Sequence, residues 1–168
     1  MKKMMLCFAF LPFACNADYF VGGGYSYYNA ELSSGAFSED INRSSVSLRT
    51  GAVLDNNHRL YLDLATGIES DDIKLNTYTA NYEYLVPIND DFNWFAGGHI
   101  GLTTIDDIAY DENYNEFLYG VQTGIDYQPT QNITTTLAYR YGASEIDAYE
   151  RLDLNTSGFQ LSLDYTFN

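Results

Sequence analysis

Between Phe159 and Phe167 apolar and polar side chains alternate without a break. Phe159, Leu161, Leu163, Tyr165 and Phe167 share one parity, and Gln160, Ser162, Asp164 and Thr166 the other. A period of two is that of a β-strand with one apolar and one polar face. The same alternation recurs upstream and predicts strands near 19–31, 44–54, 59–68, 73–86, 92–104, 116–128 and 133–143. In the second strand Val46, Leu48, Ala52 and Leu54 oppose Ser45, Ser47, Arg49 and Gly51. In the sixth, Phe117, Tyr119, Val121, Ile125 and Tyr127 oppose Gly120, Gln122, Gly124 and Asp126. Each strand has about the nine to eleven residues that a tilted strand needs to cross a bilayer. In the fourth, Ile73 and Leu75 fall on the polar parity. This predicts a bulge there, or a strand continuing above the lipid.

The connections between these strands alternate in length. Tight turns rich in turn-forming residues fall at 55–58, 87–91 and 129–132. Longer or more polar links fall at 32–43, 69–72, 105–115 and 144–156. Short turns at one end and longer loops at the other are the pattern of a membrane barrel. An even strand count closes the sheet and removes its edges. The predicted fold class is all-β, an eight-stranded antiparallel up-and-down transmembrane β-barrel. A soluble barrel would instead put the continuous apolar face inside, and charges would not recur opposing one another on the other face.

Composition supports strands. There are 16 Tyr and 10 Phe against 3 Pro, and aromatics suit both pleated surfaces and membrane-interface girdles. The mean hydropathy of −0.24 does not argue against a membrane, because lipid-facing and lumen-facing residues average out. Met1-Lys2-Lys3 followed by an apolar run to Ala14 and by Cys15-Asn16-Ala17 predicts a signal peptide over 1–17, with cleavage after Ala17. The domain expected after it is 18–168. Both cysteines, Cys7 and Cys15, fall in the leader, so the mature chain is expected to carry no thiol. Losing Lys2 and Lys3 leaves 6 Lys+Arg against 23 Asp+Glu, a net charge of −17. Such a chain has no basic footprint for nucleic acid.

The terminal strand resembles the C-terminal assembly signal of bacterial outer-membrane β-barrels. Gln160, Ser162, Tyr165 and Phe167 carry the resemblance. Ser162 stands where that pattern usually has Gly, and Asn168 follows the closing aromatic. The whole predicted mature chain resembles the small eight-stranded outer-membrane proteins, namely the OmpA-type barrel domain and the OmpX/Ail group. The resemblance implies a bacterial outer-membrane location with both termini in the periplasm. It implies contact with the barrel-assembly machinery, outer-membrane lipid and lipopolysaccharide. It also implies a role in membrane integrity, adhesion or resistance to host defence.

With the apolar parity facing lipid, Arg49, Arg59, Asp63, Glu83, His99, Gln122, Asp126, Arg140, Gln160 and Asp164 face the lumen. Mixed charges in so narrow a space are expected to pair and fill it. Arg49 and Arg140 are the expected hubs, facing Asp63, Glu83, Asp126 and Asp164. The alternative use of this set is a narrow ion channel.

Acids crowd the predicted loops, and Asp106, Asp107, Tyr110, Asp111 and Tyr114, with Glu145, Asp147 and Tyr149, form the candidate surface for a host protein or glycan. The loop acids lack the EF-hand ladder of a calcium site, and no metal site or cofactor is assigned. His99 has no Ser two residues on, and His58 reads as a turn residue. A lipid A-modifying enzyme is therefore the third reading, behind a non-enzymatic surface protein and a channel.

Overall fold

The structure is a computed structural model. It describes residues 17–34, 37–68, 73–107, 112–147 and 151–167, and within these the side chains outside 32–41, 73–75, 105–115 and 145–154. Of the expected leader, only Ala17, where the first strand starts, is among the described residues.

Among the described residues there are eight strands: β1 Ala17–Ser34, β2 Phe37–Leu54, β3 His58–Gly67, β4 Ile73–Pro87, β5 Phe92–Asp107, β6 Glu112–Thr130, β7 Ile133–Asp147 and β8 Arg151–Phe167. Each pairs antiparallel with its neighbours in sequence, and β8 returns to β1, so the sheet is a closed barrel. The register partners followed once round from Tyr19 are Ala52, Leu60, Tyr82, Gly98, Val121, Tyr141 and Ser157. They lead back to β1 at Asn29, ten residues on. With strands spaced as in any sheet, this stagger tilts them by about 40° and leaves an interior just wide enough for side chains.

The strands outrun the sequence expectation at one end. β6 has 19 residues and β1 has 18, where about 9–11 cross a bilayer. Three of the expected long links are therefore mostly strand: Ser34 faces Phe37, Asp107 faces Glu112, and Asp147 faces Arg151. Apolar and β-branched residues inside these links (Ile41, Ile105, Ile146, Leu152, Leu154) fit a pleated surface, and a ladder once begun continues at little cost. The unbroken register of β4 with β5, from Ile73–Asp107 to Pro87–Asn93, shows that the parity change at Ile73 and Leu75 is strand continuation, not a bulge. Among the described pairings, the register shifts in β6–β7, between Tyr127 and Thr130.

At the opposite end the turns are tight. Asp55 and Asn56 carry φ of 49° and 60°, a conformation these two residue types tolerate because their short side chains bond locally. The Asn57 amide donates to the Leu54 carbonyl at 3.2 Å. Asn57 and Asn132 also tie their turns to neighbouring strands, donating from Nδ2 to the carbonyls of Leu85 and Thr166 at 2.9 Å each.

The barrel is apolar outside and polar inside. Leu48, Leu62, Leu64, Val121, Leu137, Leu161 and Leu163 are all exposed, whereas Arg49, Asp63, Glu83, Gln122 and Asp126 are buried. In water this arrangement would be untenable, and in hydrocarbon it is the expected one, with the described strands paired in a closed ladder. The outward residues are also graded by height. β8 reads Phe159, Leu161, Leu163, Tyr165, Phe167 and β6 reads Phe117, Tyr119, Val121, Ile125, Tyr127, all exposed. Aliphatics thus fill the middle, and aromatics ring both ends at the levels of the two membrane interfaces.

Candidate functional site

The lumen is built in layers. At the turn end Leu85, Phe95 and Ala138 form an apolar floor, joined by Val53. Phe95 is 0 % exposed. Its ring lies against Gly124, where a methyl would stand 2.8 Å from Cζ. Phe20 is buried as well, its ring 6.1 Å from that of Tyr61.

On this floor sits a charge cluster centred on Arg59, which the sequence placed in the lumen but not among its hubs. Arg59 clamps Asp126 through Nη1 and Nη2 at 2.9 and 3.3 Å and pairs with Glu83. Its guanidinium lies 5.1 Å from the centre of the Phe95 ring. The remaining carboxylate lone pairs are occupied too. Tyr61 and Gln122 donate to Glu83 at 2.8 and 2.7 Å, and Thr136 donates to Asp126 at 2.6 Å. Buried ions persist when both the opposite charge and the residual hydrogen bonds are supplied, and here both are.

Arg49 and Arg140, the expected hubs, each meet one carboxylate where Arg59 meets two. Arg49 donates to Ser162, lies 3.6 Å from Asp164 and rests 4.4 Å above the Tyr61 ring. Arg140 reaches Asp63 at 3.4 Å, Gln160 at 3.3 Å and Asn81 at 3.0 Å. Gln160 in turn donates to Asp63 at 3.0 Å. Glu83 and Asp126 therefore belong to Arg59. The signal that could have found it is register: Arg59 and Glu83 are direct partners across β3–β4.

No protein-family model matches the chain, and no curated protein matches it. Solved structures do match. Neisserial surface protein A is 19 % identical with a TM-score of 0.73, the match covering 90 % of this chain and 99 % of that one. This is the fold of the small eight-stranded outer-membrane β-barrels. Ail, the attachment invasion locus protein of Yersinia pestis, matches at 15 % identity and TM-score 0.52, over 88 % of this chain and 98 % of that one. The N-terminal β-barrel domain of Pseudomonas aeruginosa OprF matches at 12 % identity and TM-score 0.58, over 87 % and 97 %.

On this outer-membrane barrel fold the terminal-strand residues divide by parity. Tyr165 and Phe167 face outward with their rings 5.1 Å apart, and Gln160 and Ser162 face inward into the Arg140 and Arg49 sets. The surface candidates are scattered differently from the expectation of loops. Asp106, Asp107, Tyr114, Glu145 and Asp147 lie on strands, with Asp106 opposite Asn113, Tyr114 opposite Ile105 and Glu145 opposite Asp153. Their side chains, and all of Tyr110, Asp111 and Tyr149, lie outside what the structure describes. His99 is buried in the lumen. His58 begins β3 and faces outward, with Nδ1 2.8 Å from the Tyr82 hydroxyl, so it is a girdle residue and not a turn residue.

Proposed function

We propose that the chain is a non-enzymatic surface protein of a bacterial outer membrane. In this reading the barrel is a sealed, rigid stage that carries acidic hairpin ends out of the bilayer to meet a partner. One observation carries it: the turn end of the lumen is packed shut by Leu85, Phe95 and the Arg59 cluster, while β1, β2 and β5 to β8 run past the aromatic ring at the other end. A lumen closed at its turn end by paired, buried ions supports a stabilising role over an ion path. The solved neighbours are consistent with an outer-membrane location.

The finer terms of the proposal are these. The leader 1–17 is removed after Ala17, and both termini face the periplasm. Gln160, Ser162, Tyr165 and Phe167 are read by the barrel-assembly machinery. Outer-membrane lipid and lipopolysaccharide surround the aromatic rings, and the barrel supports membrane integrity. The hairpin ends, with Asp106, Asp107, Tyr110, Asp111, Tyr114, Glu145, Asp147 and Tyr149, meet a protein or glycan of a host or environmental surface.

The Yersinia pestis protein has been solved in complex with the heparin analogue sucrose octasulfate. For this chain, with 23 Asp+Glu, a polyanion is the wrong sign, and a basic protein or a neutral glycan fits better.

The test displays the full chain and a chain trimmed at 106–114 and 145–153 on cells that lack it. Heat-shifted gel mobility checks that both barrels are folded. Attachment to host cells and matrix proteins that follows the hairpins supports the reading. Attachment unchanged by trimming refutes it, and single-channel conductance sensitive to Arg140→Ala would put the channel in its place.

A further inference from the structure

On the loop side of the Arg140 layer the lumen is not filled. A cavity of about 110 Å³ lies there, with Asp63, His99, Arg140 and Gln160 among its lining residues. It exists because inward positions at this height are small. Gly120 and Gly142 follow His99 in register across β5, β6 and β7. The imidazole lies against both: a methyl at Gly142 would stand 3.5 Å from its Nε2, and one at Gly120 would be closer still. Ala65 adds only a methyl to the lining. None of Arg59, Glu83, Phe95 or Asp126 lines the cavity, so it ends blind above the packed floor.

Two buried polar atoms at this cavity are unspent. Asp63 is 1 % exposed and His99 is 5 % exposed, yet Asp63 Oδ1 and His99 Nδ1 have no hydrogen-bond partner. Buried polar groups are rarely left so, because the loss is large. The lining is largely apolar, with hydroxyls from Ser26, Ser45, Thr77, Thr79, Thr103 and Thr156 set into it, and Thr79 already accepts from Asn81 while Thr156 donates to the Gly142 carbonyl. The two formal charges at its base, Arg140 and Asp63, form one ion pair and cancel. Two unmet polar atoms, a largely apolar lining with scattered hydroxyls and no net charge describe a neutral ligand with hydroxyls to pair and ring carbons to lay on the apolar surface. One water needs roughly 10–15 Å³ of such space, so the cavity takes several waters or a single sugar ring.

We infer that the upper lumen is a binding cup for a neutral polyhydroxylated ligand, one pyranose ring in size, entering from the loop end with its hydroxyls hydrogen-bonded to Asp63 and His99. The cup is separate from the hairpin surface and does not depend on it.

The test uses the full chain folded in phospholipid nanodiscs, with NMR of labelled His and Thr side chains. Glucose, galactose, N-acetylglucosamine and sorbitol are titrated into the high millimolar range. Saturable shifts at His99, Thr79 and Thr103 are expected with at least one sugar. Ala65→Leu, which fills the cup, abolishes them. Thr103→Val removes one hydroxyl at equal volume and weakens binding by about three- to tenfold. Heat-shifted mobility checks that each variant is folded, and if Ala65→Leu fails this, Thr103→Val and His99→Gln decide the matter.

Linear, non-saturating shifts mean a water-filled vestibule only and overturn the inference. So do saturable shifts that survive Ala65→Leu, or that survive both replacements if it fails to fold. A neutral oligosaccharide ending in the preferred ring separates the two sources: equal binding points to a glycan end, and loss of binding to a free solute, and either is a ligand of the cup. Trimming the hairpins leaves the titration unchanged, so the failure of this inference and that of the attachment reading are told apart.

Discussion

Arg59 shows most directly what a single residue does in this barrel. It is the cation for two carboxylates, and both are otherwise saturated by Tyr61, Gln122 and Thr136. Arg59→Ala would leave Glu83 and Asp126 buried without a counter-ion. A loss of roughly 3–5 kcal/mol is expected, seen as a lower urea midpoint for the barrel in micelles. Arg140→Ala should cost less, because Arg140 is 20 % exposed against 3 % for Arg59, and its partner Asp63 keeps Gln160. The reverse order in the two midpoints would remove Arg59 from the centre of the network. That the lumen holds these ions could be read from parity alone. Which acid meets which base could not. Arg49 and Asp63 are direct register partners, yet Arg49 turns to Asp164 and Asp63 to Arg140. Arg59 and Glu83 do meet as register neighbours, but Arg140 reaches Asp63 from β7 to β3, and such a chord is set by stagger, which alternation along one strand does not carry.

Strands carry the grading of the outer surface, and depth should decide the cost of a charge placed there. Leu62 stands midway along β3, between Leu60 and Leu64, and Tyr19 stands at the turn end of β1. Leu62→Arg is expected to cost about 2–4 kcal/mol and Tyr19→Arg about 0–1 kcal/mol. The check is equilibrium unfolding from lipid vesicles, and equal costs would mean that the apolar band is not where the aromatic rings put it. Number, order and facing of the strands were legible because each crosses a medium that demands strict alternation. Their far ends were not. Beyond the lipid neither face is forced to be apolar, so alternation fades at Leu32, Ile105 and Ser144 while the hydrogen-bonded ladder runs on to Ser34, Asp107 and Asp147. Turn chemistry was readable at Asp55 and Asn56, where two adjacent positive φ values call for these residue types.

For the molecule as a whole, the packed floor and the acidic ends make opposite demands on experiment. In planar bilayers the intact barrel is expected to give no discrete conductance steps, and Phe95→Ala, which removes the fully buried ring at the turn end, is expected to cost about 3–5 kcal/mol. Steady unitary currents from the unaltered protein would argue for a conducting lumen. If a basic partner meets the hairpins, its association rate should fall steeply with added salt while the dissociation rate changes little. A salt-independent association rate would point to a neutral partner.

One feature of the closed sheet also bears on how the chain reaches this state. Arg49 finds Ser162 and Asp164 on β8, so the last strand of the barrel supplies the partners of an arginine on the second. Until β8 seats against β1, Arg49 has no such partner, and the half-finished sheet is a poor guest for hydrocarbon. Closing the seam and neutralising the interior are thus a single event. An incomplete or mis-registered chain carries its own mark of incompleteness, a stranded positive charge, and this gives the bilayer itself a means of refusing it.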